Sequence, residues 1–190
     1  MNRFASVAAS LSLLAFAIPQ TAPAQTPSGS ATTGPRSELV KRVAAVGYPR
    51  EAQARHMDEI VERAMNEIRE TYRFADEAPP FAKDWIEEHL TKVSRRFRAI
   101  AREEAAPRIV YVVHKALANK LPRLQLLYLD RMAQTPQGRD DVQQLVRDIY
   151  EYDPQLLQAE DTIVRVFVEG EAKLSKKLRS DVRDVLEGRI

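Results

Sequence analysis

Between Met57 and Tyr72 the apolar residues Met57, Ile60, Val61, Ala64, Met65, Ile68 and Tyr72 recur at spacings of three and four. Only an α-helix buries such a set on one face, because side chains of a strand change sides at every residue. The opposite face, with Glu51, Arg55, Glu59, Glu62, Arg63, Glu67 and Arg69, belongs in water, where charges a turn apart compensate one another.

The same pattern extends along most of the chain. Ser37 reads as the N-cap of a short helix carrying Leu39, Val40, Val43, Ala44 and Val46 and stopping at Gly47. Pro49 opens the longer helix just described, and the segment Ala75 to Pro80 breaks it with two consecutive prolines. A helix over Phe81 to Ala105 buries Trp85, Ile86, Leu90, Val93, Phe97 and Ile100, and Pro107 starts another. Ile109 to Val113 are residues that favour strands, yet Lys115 to Lys120 continue with helix formers, so a central helix buried all round is expected.

Pro122 opens a helix with Leu124, Leu127, Tyr128 and Met132 inward. Thr135 and Pro136 then give a cap followed by a first-turn proline, for a helix that buries Val142, Leu145, Val146, Ile149 and Tyr150. Asp153 and Pro154 repeat the signal ahead of Leu156, Leu157, Ile163, Val164 and Phe167. Thr162 to Val168 also fits a strand, and its pairing with Ile109 to Val113 would give an α+β fold instead. Gly170 closes that segment, and Leu174, Leu178, Val182, Val185 and Leu186 form a last amphipathic helix. The expectation is an all-α, single-domain bundle of about six to eight helices, with Ile109 to Tyr150 as its packing centre.

The N-terminus reads differently. Arg3, the apolar run Phe4 to Ile18, and Ala22-Pro23-Ala24 are the three regions of a secretory signal, giving a signal peptide over residues 1–24. The apolar run is shorter than the roughly 20 residues that span a bilayer. Residues 25–36, rich in Thr, Ser, Gly, Pro and Ala, read as a disordered linker, and residues 37–190 as the helical domain. Export to the periplasm, or secretion, follows, and no later segment is apolar enough to span a membrane. With 29 basic and 27 acidic residues and Arg3 in the removed segment, the mature chain carries +1 and has no strong field for nucleic acid. The chain has no cysteine, which excludes disulfides, thiol catalysis and a lipidated N-terminal cysteine.

Few residues offer chemistry. His56, His89 and His114 lie on different expected helices without HExxH or ExxH spacing; His114 reads as a hydrogen-bonded core residue, and His56 and His89 as helix-surface residues. Ser94, Ser175 and Ser180 lack a nucleophile elbow, and there is no glycine-rich phosphate loop. The carboxylate pairs Asp140–Asp141 and Glu103–Glu104 are adjacent in sequence, and adjacent helical residues do not face each other. Arg95, Arg96, Arg98 and Arg102 form a local basic cluster, read as a charged outer face or as a phosphate site. Gly138 in a first helical turn implies either close packing or an anion seat on exposed amides. No catalytic, cofactor-binding or metal-ligating residue is assigned, and no cofactor is expected.

The stretch Met132-Ala133-Gln134-Thr135-Pro136-Gln137-Gly138-Arg139, after an apolar helix and a signal peptide, resembles the DUF2059 family of exported bacterial helical proteins of unknown function. Thr135, Pro136 and Gly138 match its Ser/Thr-Pro-x-Gly turn, while Met132 and Ala133 stand where that family has an aromatic pair. The resemblance covers about residues 102–146 and implies a helical exported domain without assigned catalytic residues. The expected function is non-enzymatic: an envelope protein that binds a protein partner or itself through helical surfaces, including Glu171 to Leu186. The alternatives are a carrier of an apolar or lipid-like ligand, suggested by Met57, Met65 and Met132, and, more remotely, a hydrolase using paired carboxylates.

Overall fold

The computed structural model describes residues 35–189, all within the unit Thr33–Ile190. The signal peptide and the linker up to residue 34 lie outside the described residues. The described residues are all-α: α1 (Pro35–Gly47), α2 (Arg50–Glu70), α3 (Pro80–Ile100), α4 (Ala106–Lys120), α5 (Arg123–Met132), α6 (Pro136–Tyr150), α7 (Pro154–Leu174) and α8 (Lys176–Leu186). Both stretches that could have been strands, Ile109–Val113 and Thr162–Val168, are helical. No helix among the described residues is long and apolar enough to cross a membrane.

Several boundaries differ from the sequence reading. α1 begins at Pro35, so Ser37 lies inside the helix and Arg36 is no linker residue; its guanidinium donates to the Ala118 and Leu121 carbonyls at 2.6 and 3.1 Å. Gly170 does not end α7 but is buried within it, and the break comes at the buried Ser175. Pro107 stands in the first turn of α4, as expected, but no break precedes it. α3 and α4 are joined by a π-helical turn, Ala101–Ala105, so the helical backbone is unbroken from Pro80 to Lys120. A proline in an α-helix lacks one N–H and its ring meets the carbonyl four residues back, and the wider turn just before Pro107 relieves that conflict.

The long α3–α4 helix links two halves of the core. α3 packs on α2 and α8, while α4 packs on α1, α6 and α7. α2 and α7 lie side by side and run parallel: His56 near the start of α2 meets Glu160 near the start of α7, and Tyr72 just beyond α2 meets Glu171 near the end of α7. Phe97 of α3 and Phe167 of α7 stack with ring centroids 4.3 Å apart, in the middle of the apolar interior. The inward stripe of α2 is as expected, with Met57, Ile60, Val61, Ala64, Met65 and Ile68 all buried.

Several stripes are placed differently, and on α6, α7 and α8 Leu145, Leu157 and Leu186 are exposed. Trp85 is 40% exposed and packs edge-to-face on the exposed Phe81, leaving Ala82, Ile86, Leu90, Val93 and Phe97 inward on α3. α4 is amphipathic rather than buried all round, since Tyr111 is exposed while Ile109, Val113, Ala116 and Leu117 are covered. On α5 the inward residues are Leu126 and Leu129; Leu124 and Tyr128 face outward, and Leu127 and Met132 are half-buried. Either leucine set satisfies helical spacing, and docking of α5 against α1 and α6 selects one.

Two glycines mark where helices approach too closely for a side chain. Thr135 caps α6 as expected, its hydroxyl accepting from Gly138 N at 3.1 Å. A Cβ on Gly138 would lie 2.7 Å from the Met132 carbonyl carbon and closer still to its oxygen, so Gly138 lets α6 fold back tightly on the end of α5. Gly47, at the end of α1, would set a Cβ 2.7 Å from Val146 Cγ1. Gly47→Ala should therefore cost about 1 to 3 kcal/mol by overpacking. Adding Val146→Ala should recover part of that loss in a double-mutant cycle measured by urea denaturation; strictly additive effects would show that the two helices do not meet there.

Candidate functional site

α7 presents Leu156, Glu160, Ile163, Val164, Phe167, Gly170 and Glu171 as its buried face. Two carboxylates, three helical turns apart, thus stand within an apolar stripe, where an unsatisfied charge would be costly. Each is met by a histidine, an arginine and a nearby tyrosine from other segments. Both His56 and His89, expected on the surface, are largely buried, with side chains 15% and 20% exposed.

At the first centre His56 Nε2 lies 2.9 Å from Glu160 Oε1, and Nδ1 lies 2.8 Å from the Tyr48 hydroxyl. With Nε2–H donating to the carboxylate, Nδ1 accepts from the Tyr48 hydroxyl. Arg63 donates to Glu160 Oε2 at 3.3 Å and also binds Asp161. Burial first, then the neighbouring Tyr150 and Glu160, push the Tyr48 phenol far above its ordinary range, which keeps the hydroxyl a donor. Tyr150 stacks on the His56 ring, with centroids 6.4 Å apart, and packs on Tyr48 at 5.0 Å.

At the second centre Glu171, with a side chain only 1% exposed, accepts from the Tyr72 hydroxyl at 2.6 Å, from His89 Nε2 at 3.0 Å and from Arg179 Nη2 at 2.9 Å. Arg179 also donates to Ser175 Oγ at 2.8 Å and to the hydroxyl and carbonyl of Thr71, and it stacks 4.0 Å over the Tyr72 ring. This knot fixes α8 against the end of α2 and the middle of α3. Burial alone would raise the Glu171 pKa, but the donors His89, Tyr72 and Ser175 and the charge of Arg179 outweigh it and hold the carboxyl at about 2.

The first centre opens to solvent. A cleft of about 750 Å³ between the start of α2, the end of α6 and the start of α7 has His56, Glu160 and Tyr150 in its wall. Its rim carries Arg55 and Arg147, Glu59 and Glu151, and the exposed Tyr152 and Leu157. The volume lies in the range of ligand pockets, which run from about 300 to 1,000 Å³.

The other residues weighed for chemistry lie apart from this cleft. His114 is half-buried on α4, and burial, then the charge of Lys41, lowers its pKa. Asp140, Asp141, Glu103 and Glu104 are exposed, and Met57 and Met65 are fully packed core residues. Among the described residues no cluster of three or more His, Asp or Glu could hold a metal ion. The sequence signal for both centres was an acidic residue inside each apolar repeat of α7. Their partners come from distant segments, which spacing does not link.

The depressed Glu171 pKa sets a pH dependence. A carboxyl that titrates near 4.5 when unfolded and near 2 when folded contributes stability in full above its unfolded value and loses it as pH falls toward 2. From about pH 5 to pH 2 the loss from this group should be on the order of 3 kcal/mol in urea denaturation. Glu171→Gln should be less stable at neutral pH and should lack that part of the acid slope; a variant with the parent's slope would place the effect elsewhere.

No protein-family model matches the chain, and no curated protein or solved structure matches it.

Proposed function

We propose that this chain is an exported, non-enzymatic envelope protein that works in the periplasm and binds a protein partner, or a second copy of itself, through the cleft between α2, α6 and α7. The observation that carries this reading is a cleft beside His56 that is open to solvent and edged by the exposed Tyr152 and Leu157. The ring nitrogens of His56 are held at 2.8 Å by Tyr48 and at 2.9 Å by Glu160, which fixes the imidazole as part of the cleft wall. The cleft is suited in size to holding a ligand.

The rim supports a polypeptide as that ligand. Tyr152 is 74% and Leu157 44% exposed, and both stand beside cations and anions in similar number. An aromatic and an aliphatic side chain within a mixed polar border match the anchors and rims of protein interfaces. Export rests on the N-terminal sequence, and the resemblance of Thr135-Pro136-Gln137-Gly138 to the DUF2059 turn supports the same reading. Membership of that family is part of the proposal.

Affinity capture from the envelope, run in parallel with the Tyr152→Ser/Leu157→Ser double variant, tests this reading. The parent chain should retain a defined polypeptide, or self-associate in light scattering, and the variant should lose that binding by tenfold or more, as anchor residues do. Equal capture and equal mass for both chains would remove the cleft as the binding surface.

A further inference from the structure

A second groove, of about 570 Å³, runs between α2 and α3 on a different part of the surface. Arg95, Arg98 and Arg102 enter it from the α3 side, and Arg69 enters from α2. Sequence alone brought together only the arginines of one helix, and the antiparallel packing of α2 on α3 adds Arg69. Thr91 and Ser94 set two hydroxyls between the guanidinium groups.

The charges are arranged unequally. Arg98 donates to Glu62 at 2.6 Å, Arg102 lies 3.2 Å from Asp58, and Arg69 lies 3.8 Å from Glu62. These carboxylates orient the three guanidinium groups and use only part of their donors, since each fork carries five N–H groups. Arg95 has no carboxylate partner among the described residues, although Glu87 also lines the groove. Four guanidinium groups against Asp58, Glu62 and Glu87 leave an excess of one positive charge, and Arg95 supplies the unpaired fork.

We propose that this groove binds a phosphoryl oxyanion. The reach along α3 from Arg95 to Arg102 is about 10 Å, enough for two phosphoryl groups in one ligand. Guanidinium forks match phosphoryl oxygens in pairs, and the hydroxyls of Thr91 and Ser94 add neutral donors between them. A soluble diphosphate and a phospholipid headgroup present the same chemistry. This site is independent of the α2–α6–α7 cleft.

Titration calorimetry with inorganic pyrophosphate at low ionic strength, and co-sedimentation with phosphatidylglycerol against phosphatidylcholine vesicles, test the proposal on the intact protein. The expected result is saturable binding that Arg95→Gln weakens about tenfold, the worth of one charge-assisted contact. Arg95→Lys should fall between, since it keeps the charge and loses the fork. Glu87→Gln should bind more tightly, which a purely structural role for the arginines would not produce. Arg95-dependent binding to pyrophosphate alone identifies a soluble ligand, and Arg95-dependent binding to phosphatidylglycerol vesicles identifies a headgroup. Absence of binding to both probes, or binding that Arg95→Gln leaves unchanged, overturns the site.

Discussion

A carboxylate that is 1% exposed cannot remain charged in a protein interior unless donors replace the water it has lost, and Glu171 obtains them from Tyr72, His89 and Arg179. Those three groups come from beyond the end of α2, from α3 and from α8. The helices must therefore arrive in one relative arrangement before the charge is satisfied. Glu160 imposes the same condition at the other end of α7, through His56 and Arg63 of α2. Two polar fasteners, three turns apart on one helix, set the direction and register in which α2 and α7 lie. Apolar stripes alone would tolerate sliding by a turn; paired buried charges do not.

The two fasteners differ in what they leave open. Around Glu171 the donors close over the carboxylate, and α8 covers the site through Arg179. Around Glu160 the same kinds of residue form one wall of a cleft, with Tyr150 stacked on His56 and a mixed polar rim beyond. One device thus serves stability at one end of α7 and shapes a cleft at the other.

Much of the fold was legible in the residues, and the reasons are local. Thr135-Pro136 and Asp153-Pro154 announce helix starts because a side-chain acceptor and a proline each suit the donors that lack partners there, and both caps form as read. Gly138 was legible as a close contact because a glycine in a first turn needs a reason. The exposed faces of α4 and α5 were not legible. Tyr111, Leu124 and Tyr128 satisfy helical spacing as well as their buried neighbours do, and the choice between such sets depends on which helices dock. Pro107 was legible as the first turn of α4, whereas the π turn that joins α4 to α3 without a break has no sequence signature of its own.

By itself the sequence determined that the body is helical, where most helices begin, and which face of α2 is inward, because period, caps and prolines act within a few residues. It also contained every member of both buried networks. What only the tertiary structure decided is that His56 and His89 are interior groups, that Glu160 and Glu171 are their partners, and that Arg69 joins the arginines of α3. These residues are separated by tens of positions along the chain. Their chemistry exists only once apolar burial has brought the helices together, and a pattern with a period of three or four residues carries no record of that distance.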